Sequence, residues 1–332
     1  MTCVLVPPLE RAPQRPRGAA VRRLKGVTMG TTWSAAIAIA DLDLTVVEQA
    51  IRYELDLVTA QMSPWLEASD LNRYNRAPAG AWVDAPAELC EVLHHALRLA
   101  EATEGAFDPT LGALTDLWGF GPAPFSAAPP HADDVQRARA CAGWRKVRLD
   151  AARILQPGGL RLDLCGVAKG YAVDRCARAL TRLGVASYLM EVGGELKGEG
   201  VKPDAQPWWI ELEAPWAAAS EPKLLLAACG VSVATSGDYV RFFEQDGRRY
   251  GHTLDVDSGA PVERDVVAAT VLHRDCMAAD ALATALVVMG AQRAQAFAES
   301  HALPTRLGFV RNGDVRTWLS SSLEEMAEEG PG

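Results

Sequence analysis

The spacing of apolar and polar residues predicts a chain in which strands and helices alternate. Apolar residues recur at intervals of three and four, as on one face of a helix, in the segments 44–62, 85–105, 166–184 and 277–289. Pro64 prevents continuation of the first of these helices, while Gly105, Gly184 and Gly290 stand where the others would close. Strand patterns occupy the segments 25–40, 187–200, 207–215, 229–237 and 268–276.

These elements do not repeat with the regular strand–helix–strand rhythm of a doubly wound nucleotide-binding fold. A glycine fingerprint of the form GxGxxG does not follow any strand, and Asp246-Gly247 indicates a hairpin. Segment 105–130 mixes glycine, proline and aromatic residues and is expected to be an irregular but packed loop. We therefore expect one large α+β domain with a central mixed or antiparallel sheet and flanking helices. Residues 1–23, rich in proline and arginine, are expected to form a disordered arm, and residues 323–332 a flexible tail.

Composition narrows the range of functions. A net charge of −9 and a pI near 5.3 provide no basic surface for nucleic acid, so we expect no nucleic-acid partner. Seven widely spaced cysteines without a CxxC pair are expected to be reduced thiols. The first residues lack the pattern of a signal peptide and no transmembrane segment is evident, which predicts a cytoplasmic protein; an exported, membrane-anchored protein is the alternative if translation starts elsewhere.

The stretch RLDLCGVAKGYAVDRCARAL places small residues and a lysine at the start of a predicted helix. The first turn, near 166–170, would bring unpaired N–H groups, the positive end of the helix dipole and Lys169 together. Such a turn can hold an anion such as a diphosphate. A glycine-lined packing contact beside an exposed lysine explains the same residues equally well.

The segment MAADALATALVVM contains a carboxylate, Asp280, inside an apolar helix. A buried carboxylate without a partner is costly, so something must compensate its charge. Thr284 lies one turn further along on the same face, and both oxygens suit a hard cation such as Mg²⁺. The alternatives are that Thr284 bonds back to the carbonyl four residues earlier and that Asp280 pairs with a distant arginine.

His252 and Asp255 lie in a predicted strand-to-turn region, RRYGHTLDVDSGAP. A histidine beside a site of phosphoryl transfer can accept a hydroxyl proton, although a single histidine is more often structural. The nearby ATSGDY is compatible with an ordinary polar turn.

Taken in order, these segments resemble the ApbE family, the FAD:protein FMN transferases. The resemblance runs through MGTTW, MSPWLEASDLNRYN, GAFDPTLGALTDLWGFG, LDLCGVAKGYAVD, MEVGGELKGEG, VATSGDYVRFFEQDGRRYGHTLDVDSGAP and ADALATAL. It implies an ApbE-like domain over 24–322, with an active-site cleft between two lobes. It also implies Mg²⁺-dependent transfer of FMN from FAD to a Ser or Thr hydroxyl of an acceptor flavoprotein, with release of AMP.

The resemblance also implies roles for particular residues. The metal ligands correspond to the side chains of Asp280 and Thr284 and to the carbonyl of Gly166. The base corresponds to His252, which Asp255 would orient. FAD contacts correspond to Met29, Trp65, Ala106, Phe107, Asp108, Asp163, Lys169, Thr253 and Leu254.

Three positions depart from the family pattern. Trp65 replaces the usual tyrosine, Cys165 replaces a smaller residue, and Val256 replaces a proline. Two other functions stay open: an FAD pyrophosphatase, in which water replaces the protein hydroxyl in the same chemistry, and a protein that binds FAD without turnover, which these departures favour.

Overall fold

The computed structural model describes residues 2–9, 12–123, 128–214, 216–217, 221–237, 241–263 and 265–328. The helices of this part of the chain are α1 (Leu44–Met62), α2 (Asp70–Asn75), α3 (Ala87–Ala102), α4 (Gly112–Leu117), α5 (Ala132–Cys141), α6 (Ala168–Arg182), α7 (Cys276–Met289), α8 (Ala291–Ser300) and α9 (Ser321–Glu324). The strands are β1 (Thr2–Leu5), β2 (Ala20–Thr28), β3 (Thr31–Ile39), β4 (Trp82–Asp84), β5 (Arg148–Asp150), β6 (Arg153–Leu155), β7 (Tyr188–Val192), β8 (Glu195–Glu199), β9 (Trp208–Leu212), β10 (Lys223–Ala228), β11 (Val231–Gly237), β12 (Phe242–Gln245), β13 (Arg248–Gly251), β14 (Leu254–Asp255), β15 (Ala260–Pro261), β16 (Val266–His273), β17 (Thr305–Arg311), β18 (Asp314–Leu319) and β19 (Ala327–Glu328).

An eight-stranded sheet organises the molecule, in the order β18-β17-β16-β11-β8-β7-β3-β2. Every neighbouring pair in it is antiparallel, which confirms the α+β expectation and selects its antiparallel form. Helices α1, α6 and α7 pack together over this sheet, and their buried faces form the main core with strands β3, β7 and β16. The predicted helical faces are therefore the faces that the fold buries.

The segment 25–40 is two strands rather than the single strand that its pattern predicts. Strands β2 and β3 pair antiparallel and are joined by Met29 and Gly30, with φ of 48° and 72°. Two consecutive residues with positive φ form the tight hairpin turn that matches strand twist. The usual sequence signal of such a turn is Asn-Gly or Asp-Gly, and the Met-Gly pair found here does not predict it.

The chain ends are also more ordered than their sequences predict. Strand β1, in the predicted arm, pairs parallel with β10 and antiparallel with β19, in a second sheet ordered β19-β1-β10-β9. Leu5 is fully buried there, and so is Leu323 of the predicted tail. The prediction of a disordered arm over 1–23 is wrong for Thr2–Leu5 and for residues 20–23, which begin β2, and the prediction of a flexible tail is wrong for residues 323–328. Partners distant in sequence supply the pairing and the apolar cover of β1 and of the tail. Residues 329–332 lie outside the described residues.

Segment 105–130 contains a short helix, α4, within the expected irregular and packed loop; residues 124–127 lie outside the described part. Aromatic rings pack the β12–β13 hairpin onto this region, with Tyr250 stacked on Trp118 at 5.7 Å and on Phe243 at 4.9 Å. The hairpin turn is Asp246-Gly247, as predicted. This packing fixes the strand that leads into His252.

No helix in the described part of the chain combines the length and the apolar character needed to cross a bilayer.

Candidate active site

A pocket of about 300 Å³ lies where α6 begins, beside α7, the end of β11 and the β7–β8 turn. The loop before α4 and the segment after β13 complete its walls. Most of the residues assigned to the site from sequence line it: Ala106, Phe107, Asp108, Asp163, Gly166, Lys169, His252, Thr253, Leu254, Asp280 and Thr284.

A close contact in the pocket wall joins α6 to α7. Asp280 is 2% exposed, and its Oδ2 accepts a hydrogen bond of 2.9 Å from the N–H of Gly170. A Cβ on Gly170 would lie 2.3 Å from the carbonyl oxygen of Cys276 and 2.8 Å from Cβ of Asp280. Only glycine allows this approach, which brings the predicted anion-binding turn and the predicted metal helix together.

Asp174, one turn further along α6, holds the start of α7 in place. Its two carboxylate oxygens accept hydrogen bonds from the N–H groups of Cys276 (3.1 Å) and Met277 (2.9 Å). These are first-turn N–H groups of α7, which a carboxylate can cap. Helix α7 is thus held against α6 at its N-terminus and again at Asp280, which fixes the direction of the Asp280 carboxylate.

Thr284 faces the loop that precedes α6. A Cβ on Gly166 would lie 3.1 Å from Thr284 Oγ1, so the backbone of Gly166 and this hydroxyl are direct neighbours. Thr284 Oγ1 donates to the carbonyl of Asp280 (3.2 Å), which is the back-bonding alternative raised by the sequence. Because that bond uses its only proton, Thr284 accepts from Ser236 Oγ at 3.0 Å.

Most first-turn N–H groups of α6 already have acceptors. Ala168 N–H donates to the carbonyl of Leu164, Tyr171 N–H to that of Val167, and Gly170 N–H to Asp280. The cradle of unpaired N–H groups expected from the sequence is therefore largely occupied. The Lys169 ammonium carries the positive charge at this end of the pocket.

Lys169, Glu195 and Asp280 form a charged group, here called the Lys169 cluster. Lys169 Nζ lies 2.5 Å from Glu195 Oε1. Burial raises the pKa of Glu195 to about 8, and the charge of Asp280 adds to the rise. Burial also raises the pKa of Asp280, although Lys169 and the Gly170 N–H oppose the change. Burial lowers the pKa of Lys169, but attraction to Asp280 and Glu195 outweighs it and the net shift is upward. Each shift has the direction expected of a site that lacks positive charge.

The oxygens at this end of the pocket are a donor set for a hard cation. The second oxygen of Asp280, the hydroxyl of Thr284 and the carbonyl of Gly166 lie around the junction of α6 and α7. In a regular helix the Gly170 N–H would donate to Gly166 O, but here it donates to Asp280. No cluster of three or more His, Cys, Asp or Glu side chains that could hold a metal exists in the described residues. A cation here would depend on backbone, ligand and water oxygens, as Mg²⁺ commonly does.

The opposite wall is held by two aspartates whose oxygens are largely used within the protein. Asp108 accepts from the N–H and hydroxyl of Thr110 and from the N–H of Trp144, and burial raises its pKa. Asp163 accepts from the Thr115 hydroxyl (2.9 Å) and the Cys165 N–H (2.9 Å). Both side chains therefore shape the loops 106–110 and 163–166 that line the pocket.

His252 lines the pocket and is half-buried. Its Nδ1 lies 3.2 Å from the carbonyl oxygen of Arg241, which also accepts from the His252 backbone N–H. Donation from Nδ1–H to that carbonyl leaves Nε2 as the basic nitrogen. Asp255 lies outside the pocket lining, and one of its side-chain oxygens accepts from Asp257 N–H at 3.2 Å.

Comparisons with known proteins agree with this geometry. The family model described as "ApbE family" matches residues 29–306. The chain belongs to the ApbE family.

Curated proteins named FAD:protein FMN transferase share about a third of their residues with this chain. An FAD:protein FMN transferase from Vibrio cholerae is 35% identical over 91% of this chain and 91% of its own length. A protein of the same name from Haemophilus influenzae is 31% identical over 92% of this chain and 91% of its own length.

Solved ApbE structures share the fold. The apo form of the flavinyl transferase ApbE from Pseudomonas stutzeri matches with a TM-score of 0.87 and 36% identity, covering 94% of this chain and 98% of that chain. The flavin transferase ApbE from Vibrio cholerae matches with a TM-score of 0.86 and 33% identity, covering 92% and 99%.

The positions that depart from the ApbE pattern take different places in the structure. Cys165 lines the pocket, and burial raises the pKa of its thiol well above the ordinary value, so it is a poor nucleophile. Trp65 is 52% exposed outside the lining, with the Arg241 guanidinium 5.9 Å from its ring centre. The carbonyl of Val256 accepts from Arg139 on α5. Met29, at the β2–β3 turn, also lies outside the lining.

Other lining residues were not assigned to the site from the sequence. Glu195 follows two glycines in MEVGGELKGEG, and Ser236 stands in ATSGDY, a sequence compatible with an ordinary polar turn. The signal available for Glu195 was the Gly-Gly pair, which indicates a tight hairpin and places the next residue at the start of the following strand. The tertiary fold, and not the local sequence, places the start of that strand beside Lys169 of α6.

Proposed function

We propose that this protein transfers FMN from FAD to a Ser or Thr hydroxyl of an acceptor flavoprotein, with Mg²⁺, and releases AMP. Membership of the ApbE family and the 35% identical transferase support the reaction. The observation that carries it is the junction of α6 and α7, where Gly170 N–H bonds to Asp280 at 2.9 Å with Lys169 alongside. That junction supplies both oxygen ligands and a cation where a diphosphate would lie.

Mg²⁺ would be held by the side chains of Asp280 and Thr284 and by the carbonyl of Gly166. The hydrogen bonds described above leave oxygen lone pairs on each of these groups, and all three are hard oxygen donors, so the residues fit this ion. When bound, Mg²⁺ neutralises charge on the diphosphate.

The protein's own groups would act on both sides of the reacting phosphorus. Lys169 donates hydrogen bonds to diphosphate oxygens and stabilises the charge that gathers on them as the acceptor attacks. His252 accepts the hydroxyl proton at Nε2, while the Arg241 carbonyl holds Nδ1 and thereby orients the ring. Proton acceptance of this kind contributes roughly 10²- to 10⁴-fold in rate.

The proposed step balances without an oxidant or a further reactant. The acceptor oxygen forms a bond to the phosphorus of the FMN half, and the bond from that phosphorus to the diphosphate bridging oxygen breaks. AMP leaves with the bridging oxygen, and the hydroxyl proton passes to His252. The product is a phosphoester between FMN and the acceptor side chain.

The test is incubation of the purified protein with FAD, Mg²⁺ and a panel of flavoprotein domains, followed by intact-protein mass spectrometry. We expect one domain to gain the mass of FMN less one water, as a phosphoester requires, and an equal amount of AMP to appear. The matched control is the same domain with its acceptor Ser or Thr replaced by alanine, which should gain nothing.

Two other results would contradict the proposal. Free FMN and AMP, formed at the same rate with and without an acceptor, would identify an FAD pyrophosphatase. Unchanged FAD that nevertheless binds would identify a non-catalytic flavin-binding protein.

A further inference from the structure

Glu195 is a buried carboxylate in the pocket wall with only part of its bonding capacity used. It is 2% exposed and lines the pocket, and its Oε1 lies 2.5 Å from Lys169 Nζ. Its Oε2 is buried and has no hydrogen-bond partner among the described residues. A buried carboxylate oxygen without a hydrogen-bond partner reduces the stability of the fold, and the protein keeps Glu195 in spite of this cost.

The β7–β8 turn delivers this carboxylate to Lys169. Gly193 and Gly194, with φ of 60° and 102°, form the turn, and Glu195 follows as the first residue of β8. A Cβ on Gly193 would lie 3.4 Å from Lys169 Cδ, so the lysine stem passes across this glycine. The turn therefore holds Lys169 at two points, along the stem and at the ammonium.

A structural salt bridge in the same molecule differs from this arrangement. Glu54, equally buried, uses both carboxylate oxygens, one on Arg175 and the other on Arg182. That network joins helices and does not line the pocket. Glu195 instead keeps one oxygen unpaired and faces the site, next to the residue that would meet the diphosphate.

We propose that Glu195 is a positioning residue, which fixes the Lys169 ammonium for contact with the diphosphate of the bound flavin nucleotide. The inference rests on the proposed function. Lys169 has four rotatable bonds in its side chain and would otherwise sample many positions. Fixing it in place favours the transition state, because misplacement by about 1 Å can cost about 10²-fold in rate.

Because Glu195 carries a charge, its effect on FAD binding can be distinguished from its effect on the rate of FMN transfer. At pH 9, above the raised pKa of Glu195, its carboxylate carries a negative charge beside the Lys169 ammonium. Glu195→Gln removes that charge, so FAD should bind without Mg²⁺ as tightly as to the wild type or more tightly. The same variant should lower kcat by about 10- to 100-fold, because the ammonium is no longer fixed. A variant that merely damaged the pocket would weaken FAD binding and lower kcat together.

The experiment is a double-mutant cycle with Lys169→Met, measuring kcat for FMN transfer and, separately, FAD binding by flavin fluorescence. We expect Glu195→Gln to change kcat less than 2-fold when Lys169 is already methionine. The matched control is Glu199→Gln, the same substitution at the far end of β8 and outside the pocket lining, which should behave as wild type. If Glu195→Gln lowers kcat equally in both backgrounds, or weakens FAD binding as much as it lowers kcat, the proposal is wrong.

A second variant covers the case in which Glu195→Gln does not fold. Glu195→Asp keeps the charge but shortens the reach, so kcat should fall while FAD binding stays at the wild-type value; an unchanged kcat would overturn the proposal. If the wild type transfers no flavin, the proposed function fails. In that case the same double-mutant cycle is analysed for FAD affinity. Additive effects of the substitutions at 169 and 195 on that affinity would contradict an interaction between the two side chains, and non-additive effects would support it.

Discussion

At the scale of single residues, Asp280 carries the most specific prediction about the reaction. Asp280→Asn keeps the shape and can still accept from Gly170 N–H, but it removes the negative charge offered to a cation. We expect transfer at saturating FAD to fall by about 10²- to 10³-fold and the half-saturating Mg²⁺ concentration to rise. Transfer rates measured over a Mg²⁺ titration test this.

Asp133→Asn, on the exposed side of α5, is the matched control and should leave both quantities unchanged. Normal transfer by Asp280→Asn at ordinary Mg²⁺ concentration would show that this carboxylate does not hold the cation.

The sequence predicted some site residues because their own segments mark them. Asp280 stands out as a carboxylate in an apolar helix, and Lys169 stands at the start of another helix. Ser236 and Glu195 were missed because each acts through a partner distant in the chain, Thr284 and Lys169 respectively. Local patterns indicate which residue is costly to bury, but the compensating partner depends on the tertiary fold.

At the scale of secondary structure, the α6–α7 contact depends on the absence of a side chain at Gly170. Gly170→Ala should gain up to about 1 kcal/mol in helix propensity but place Cβ 2.3 Å from the carbonyl oxygen of Cys276. Because that atom is backbone, we expect overpacking to dominate, with a net loss of roughly 1–3 kcal/mol in the free energy of unfolding. Urea denaturation measures the loss, and an increase in stability would mean that the helices are not in this contact.

The buried ion pairs between α1 and α6 give a second prediction at this scale. Glu54 bonds Arg175 Nε at 2.7 Å and Arg182 at 2.6 Å, and its side chain is 3% exposed. Glu54→Ala should cost about 3 kcal/mol in the free energy of unfolding, because Arg175, itself mostly buried, loses its main partner. The measurement is the urea midpoint multiplied by the m-value.

Glu48→Ala, which removes an exposed ion pair with Arg52 on the same helix, is the control and should cost less than about 1 kcal/mol. Equal losses for the two variants would show that burial of the Glu54 network is not what stabilises it.

The secondary elements themselves were largely predictable, whereas their pairing was not. Helices α1, α3, α6 and α7 follow their apolar spacing to within a few residues at each end. The β2–β3 turn was missed because Met-Gly is an unusual turn sequence, and the sheet order joins β11 to β8 and β16 across the chain. The register between strands that are distant in sequence is fixed by the way their buried faces pack on α6 and α7. The sequence of one strand alone does not indicate that register.

At the scale of the whole molecule, the two ends of the chain close the second sheet. Strand β1 brings only four residues, too short for a clear alternation pattern, and its partners β10 and β19 come from distant parts of the chain. The composition of 1–23 therefore predicted disorder where tertiary pairing gives order. Strand β1 thus depends on the rest of the fold, and loss of β10 pairing should release it.

The pH dependence of global stability tests His95, a histidine of α3 that lies outside the pocket lining. Burial lowers the pKa of His95 below its ordinary value of 6.5, and the positive charges of Arg98 and His273 add to this. Its Nε2 is buried without a partner in the described residues. Because the unfolded chain binds the proton more readily, stability should fall as the pH drops below about 6.5 and continue to fall until the folded form also protonates.

His95→Leu cannot take up a proton, so its free energy of unfolding should fall less than that of the wild type between pH 7.5 and pH 5.5. Urea denaturation at the two values measures the difference, and subtracting one protein from the other cancels the carboxylates that both share. His94→Leu, the neighbouring and exposed residue, should keep the wild-type dependence. If His95→Leu loses stability on acidification as steeply as the wild type, the unpartnered ring nitrogen is not a source of acid sensitivity in this fold.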